Sequence, residues 1–208
     1  MGYKTEQEKF WSGEFGDSYI DRNQDSRILA SDMSLFGEVL RYTKGIRSVM
    51  EFGSNIGLNL KAIHTLLPDA SLNAIEINHK AAELLRNDSF FKEPVDVHET
   101  SILQYNPVVQ YDFVFVKGVL IHINPDELDC VYDKLYASSK RYIFICEYYN
   151  PVPVEVEYRG HKERLFKRDF AGEFLEKYED VKLVAYGFSY HRDTNFPMDD
   201  NTWFLLEK

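Results

Sequence analysis

SVMEFGSNIGLN, residues 48–59, holds a short apolar strand, an acidic side chain near its end, a glycine turn and the start of a helix. Gly53 permits a tight turn and close approach of a ligand to the backbone. Asn55 stands inside the turn, and asparagine is one of the few residues besides glycine that tolerate positive φ. Gly57 precedes the helix. Open parallel sheets place their ligands beyond the carboxyl ends of strands, at turns of this kind. Glu51, Gly53, Asn55 and Gly57 are therefore the first candidate site residues.

Upstream, residues 26–43 read as an amphipathic helix, with Ile28, Leu29, Leu35, Phe36, Val39 and Leu40 on its apolar side and Gly45 at its stop. Downstream, helices are expected at 58–67, 79–87, 125–138 and 167–177. Strands are expected at 71–77, 95–100, 111–116, 142–147, 182–189 and 202–207. Alternation of this kind implies a parallel sheet covered by helices on both faces. No helix separates the final two strands, so they form a hairpin and the last strand runs antiparallel. The expected fold is α/β and Rossmann-like, a seven-stranded, mostly parallel sheet. Residues 1–45 read as an N-terminal helical cap and 46–208 as the Rossmann-like part of a single domain.

A chain of 208 residues suits one hydrophobic core. Its formal charge of −10 argues against a nucleic-acid partner. No apolar run reaches the length of a membrane span, and the N-terminus lacks a signal-peptide pattern. Cys130 and Cys146 have no zinc-type spacing, and no other ligand cluster is visible, so no metal is expected. These features point to a cytoplasmic protein. The oligomeric state is not readable.

Two nucleoside-cofactor patterns begin with a glycine turn. The NAD pattern GxGxxG, started at Gly53, needs glycines where Asn55 and Leu58 stand. An acidic residue followed by GxGxG, the S-adenosylmethionine pattern, departs only at Asn55. Glu51 also suits a cofactor carrying a sulfonium and an ammonium, and it repels a pyrophosphate. Glu76 ends a strand 23 positions after Gly53, where a carboxylate can accept from both ribose hydroxyls. Ile77 follows it. Ser101 and Ile102, after the third strand, are placed to bracket an adenine. Lys117, Gly118 and Leu120 lie just past the fourth strand, over the cofactor.

In order and spacing these motifs resemble the class I S-adenosylmethionine-dependent methyltransferases, from about residue 46 to the end. FWSGEFGDSYIDRN (10–23) and YRGHKERLFKRDF (158–170) resemble the methyltransferases associated with pseudaminic acid biosynthesis. The resemblance implies S-adenosylmethionine as cofactor and a small-molecule acceptor, a nonulosonic-acid-type sugar or its nucleotide conjugate. An NAD-linked oxidoreductase and a non-catalytic, nucleoside-binding relative of the fold are the alternatives.

The basic run 158–168 stands out in an acidic chain. Gly160 favours a loop there, and Arg159 and Arg164 would suit an anionic acceptor; a solvated charged face is the other reading. His161 and His122 are candidate general bases, although a histidine on an apolar segment such as His122 is more often a satisfied core residue. Tyr148, Tyr149 and Asn150, with Tyr158, would shape the acceptor pocket or simply pack. Trp11, Tyr19 and Arg22 would close over the cofactor as a lid. The loop with His191, Asp193, Asp199 and Asp200 reads as a polar hairpin rather than a metal site.

Overall fold

Strands covered on both faces lose contact with water on both sides and become continuous apolar runs. Residues 113–116, Phe-Val-Phe-Val, are such a run, and all four are fully buried. The computed structural model describes residues 2–21 and 26–208. Its helices and strands, in chain order, are α1 (Glu6–Ser12), α2 (Glu14–Ile20), α3 (Ser26–Leu40), β1 (Ser48–Phe52), α4 (Leu58–Leu66), β2 (Ser71–Glu76), α5 (His79–Arg86), β3 (Asp96–Glu99), β4 (Tyr111–Lys117), α6 (Leu128–Ser138), β5 (Ser139–Glu147), β6 (Val154–Tyr158), β7 (His161–Lys167), α7 (Phe170–Lys177), β8 (Lys182–Phe188) and β9 (Thr202–Glu207). Short 3-10 turns at Leu120–His122 and Pro125–Glu127 lead from β4 into α6.

Seven strands form one sheet in the order β3-β2-β1-β4-β5-β9-β8. The pairs from β3 through β5 are parallel, whereas β9 runs antiparallel to both β5 and β8. This is the Rossmann-like architecture expected from the alternation. Successive side chains on a strand face opposite ways, and the core divides accordingly. Val114 and Val116 join Val131, Leu135 and Phe174 on one face. Phe113 and Phe115 join Phe36, Leu60 and Ile63 on the other. The chain winds outward from β1 in one direction through β2 and β3, then returns to β4 on the other side. The crevice at that reversal is where a ligand belongs.

Two expectations are corrected. The basic run is not an open loop: β6 and β7 pair as a separate two-stranded hairpin. Arg159 and Gly160, at φ +51 and +83, make its two-residue turn, the combination that suits the twist of a hairpin. Lys167 consequently ends a strand and does not open a helix. Helix α7 begins at Phe170, capped by Asp169, whose side chain accepts from the Gly172 amide at 2.8 Å.

Candidate functional site

The glycine turn, the ends of β2, β3 and β4, helix α3 and the N-terminal helices enclose a cavity of about 240 Å³. Gly53 and Asn55 form its base. Glu76, Ile77, Ser101 and Ile102 line the side towards β3; Lys117, Gly118 and His122 line the side towards β4; Trp11 and Tyr19 close it from the N-terminal helices.

The turn itself rests on left-handed backbone, with φ of +79 at Gly53, +47 at Asn55 and +77 at Gly57. A Cβ on Gly53 would stand 2.8 Å from Val119 Cγ2. Gly57 caps α4 and does not reach the cavity. Glu76 braces the turn from the neighbouring strand. Its two oxygens accept from the amides of Asn55 at 2.6 Å and Asn78 at 2.7 Å. Burial pushes the Glu76 carboxyl up, and these amides pull the other way.

Beside the turn lies a buried polar group of four side chains. Lys117 Nζ sits 3.0 Å from Asp32 Oδ1, with Asp32 only 1% exposed. Beyond this ion pair, neither Asp32 oxygen has a hydrogen-bond partner. Burial alone would lower the Lys117 ammonium, but the Asp32 carboxylate reverses this and holds it above its ordinary value. Glu51 is fully buried; its Oε1 accepts from Asn59 Nδ2 at 2.7 Å, and its Oε2 has no partner. Burial drives the Glu51 carboxyl well above the usual range. Asn59 Oδ1 and Asn201 Oδ1 are also buried and unpaired. Asp32, Asn59 and Asn201 line the cavity, whereas Glu51, expected to hold the cofactor, is buried beside Asn59 and does not line it. Buried polar atoms are normally satisfied, so the orphaned oxygens of those three side chains fit a donor-bearing ligand.

Past β4, Glu147 governs the local backbone. Its carboxylate accepts from the amides of Val119 and Leu120, both at 2.9 Å, and Ile121 at 3.4 Å. This fixes Val119 against Gly53 and sets the turn that carries His122. Burial pushes the Glu147 carboxyl from 4.5 up to about 7, against the pull of the three amides. Between those values the folded state keeps a proton that the unfolded chain has released. The contribution of Glu147 to stability is therefore complete below pH 4.5 and lost as pH rises to about 7. We expect Glu147→Gln to remove this component. The stability difference between variant and parent, from urea unfolding, should shift in favour of the variant across that window and level off above it. A constant difference would disprove the assignment.

His122 is buried, with Nδ1 2.6 Å from the Arg164 carbonyl. Burial drops it to about 4, so it is neutral at physiological pH. With Nδ1–H donating to that carbonyl, the lone pair lies on Nε2. The Trp11 ring stands 4.6 Å from the imidazole and the Tyr158 ring 4.9 Å.

Several sequence candidates lie elsewhere. Leu120 is turned into the hydrophobic core. His161 is exposed on the hairpin, 5.0 Å from the Phe10 ring, and does not line the cavity. Arg159 lies over the Tyr158 ring and Arg164 over Phe10; neither reaches the cavity. Lys167 covers Tyr148, and Arg168 pairs with Glu173 at 2.6 Å. The expected anion clamp is thus dispersed over aromatic rings and one carboxylate. Tyr148 packs against the hydrophobic core near Asp199, which does line the cavity. Tyr149 is exposed against Phe204, and Asn150 donates to the Val152 carbonyl. Tyr158 supports His122 from outside. Arg22 lies outside the described residues. Among the described residues no three His, Cys, Asp or Glu side chains gather to hold a metal ion.

Gln7, Glu8, Asp32, Asn59 and Asn201 line the cavity without having been anticipated. Asp32 did leave a signal: it falls on the apolar stripe of α3, in register with Ile28, Leu35 and Val39, where a charge needs a buried partner.

No protein-family model matches the chain, and no curated protein matches it either. Solved structures do match, over nearly the whole length. Magnesium protoporphyrin IX methyltransferase from Synechocystis PCC 6803, with bound SAH, superposes at a TM-score of 0.71 with 12% identity, covering 97% of each chain. Burkholderia thailandensis 1,6-didemethyltoxoflavin-N1-methyltransferase gives 0.71 with 13% identity, over 100% of this chain and 91% of the other. The plantazolicin methyltransferase BpumL gives 0.66 with 14% identity, over 97% and 94%. The chain therefore has the fold of class I S-adenosylmethionine-dependent methyltransferases.

Proposed function

We propose that this protein is an S-adenosylmethionine-dependent methyltransferase acting on a small molecule, with residues 1–45 as a cap over the catalytic part, 46–208. The observation that carries the reading is the set of unpaired buried oxygens on the cavity-lining side chains Asp32, Asn59 and Asn201, with Glu51 buried next to Asn59. They favour a cofactor bearing a sulfonium and an ammonium, and they oppose a pyrophosphate. When bound, that cofactor supplies the electrophilic methyl group. Glu76 would hold the ribose, Ser101 and Ile102 would border the adenine, and the Asp32–Lys117 pair would meet the amino-acid end. Trp11 and Tyr19 would exclude water, and His122 Nε2 would take a proton from the acceptor.

The sequence resemblance suggests a nonulosonic-acid-type acceptor. An anion of that kind needs a free cation in the cavity. Lys117 is the one Lys or Arg side chain among the cavity-lining described residues, and Asp32 already neutralises it. We therefore retain the methyl transfer and set the anionic acceptor aside. The three matched methyltransferases are named for chemically unrelated acceptors, so the fold does not choose among them.

Calorimetric titration with S-adenosylmethionine, S-adenosylhomocysteine and NAD tests the proposal. Binding of the first two and not of NAD is expected; NAD binding alone would reject it. Glu76→Ala should weaken S-adenosylhomocysteine binding by about 1.5–3 kcal/mol, the range for hydrogen bonds to a charged group. Unchanged affinity would remove Glu76 from the ribose site.

A further inference from the structure

The end of the cavity under α1 has a chemistry of its own. Thr5, Gln7, Glu8 and Trp11 line it from α1 and its cap, opposite His122 and Asn124. Glu8 closes a capping box: its Oε2 accepts from the Thr5 amide at 2.8 Å. The other oxygen, Oε1, is buried without a partner, as is Gln7 Oε1. Gln7 and Glu8 are each only 7% exposed. Gln7 Nε2 is engaged with the Glu163 carbonyl at 3.0 Å, so its free oxygen is fixed as an acceptor. Two hydrogen-bond acceptors, one of them a carboxylate oxygen, and the Trp11 ring thus line an end of the cavity to which no described Lys or Arg side chain contributes, with Trp11 Nε1 also buried without a partner. Such a site wants donors and positive charge, and the ring adds attraction for a cation.

Resting on the methyl-transfer reading above, we propose that the acceptor is an amine- or amidine-bearing molecule, methylated on nitrogen and held by Glu8 and Gln7 beside Trp11. The charge balance of the reaction supports the same assignment. The cation held by Glu8 first releases a proton to water through His122 Nε2. The lone pair so freed forms the new N–C bond while the methyl C–S bond breaks, and the C–S pair returns to sulfur. The positive charge leaves the sulfonium and appears on nitrogen. A buried carboxylate beside the acceptor stabilises charge arriving there. An anionic oxygen acceptor would instead lose its charge in the reaction and meet Glu8 as a repulsive neighbour on entry.

The test uses the full chain saturated with S-adenosylhomocysteine, titrated with benzylamine, benzamidine and benzoate as probes of similar size. The two cations should bind about ten- to hundredfold more tightly than benzoate, the range of a charged hydrogen bond. Glu8→Gln should abolish the preference. Glutamine still serves as the third-position partner of a capping box, so loss of preference reports charge and not a melted helix, which circular dichroism checks. Equal affinities, a preference for benzoate, or a cation preference that survives Glu8→Gln would each overturn the proposal. Failure of S-adenosylhomocysteine itself to bind would instead reject the methyltransferase reading, so the two failures are separable.

Discussion

Replacing Asp32 with alanine is expected to destabilise the protein by about 3–5 kcal/mol, the usual cost of removing one partner of a buried ion pair. Lys117 would keep its charge in a site from which its side chain is only 16% exposed, without its nearest neutralising group. For a chain of this size the loss corresponds to a fall of roughly 6–20 °C in Tm. The double variant Asp32→Asn, Lys117→Met removes both charges at similar volume and should recover most of the loss. Thermal unfolding of the three proteins decides the matter. Should Asp32→Ala melt with the parent, the pair would be solvated and its proposed place at the amino-acid end of the cofactor would go with it.

The second large effect concerns Gly53. A side chain there meets two penalties. Left-handed backbone costs an L-residue roughly 1–2 kcal/mol. The added Cβ also runs into Val119, and overpacking of this kind costs about 1–3 kcal/mol. Val119 cannot swing away easily, because it is β-branched and its amide is held by Glu147. Gly53→Val should therefore lose S-adenosylhomocysteine affinity by about two orders of magnitude, in line with that combined cost. Gly53→Ala should show a smaller loss, and adding Val119→Ala should restore the steric part while leaving the backbone strain. If Val119→Ala gave no rescue, the contact between the two loops would not be what fixes the turn.

Much of this architecture is written locally. Phe113–Val116 announces a doubly covered strand, and Asn55 at positive φ is what its residue type allows. Glu76 could be placed because it ends a strand at a set distance from the turn. The hairpin is less legible because the charge of Arg159–Arg168 masks the alternation. The alternation of VEVEY at 154–158 and the Arg-Gly turn after it were the physical signal. Asp32 and Glu147 are harder cases. Each is a carboxylate within or at the end of an apolar element, but its partner comes from a segment remote in sequence. Local pattern cannot supply that partner. The same holds for Arg164, whose ring, Phe10, is remote in sequence, whereas Arg159 lies over its own neighbour Tyr158.

Consecutive carbonyls of the hairpin, those of Glu163 and Arg164, hold Gln7 and His122 respectively. Any displacement of that hairpin away from the sheet breaks both bonds in one event. The roof loses its latch as the imidazole loses the bond that fixes its tautomer. An open site is then also a disarmed one. In the proposed methyl transfer, exchange by this route would take place while the proposed proton acceptor, His122, is out of alignment, which would guard the methyl donor against water during entry and release.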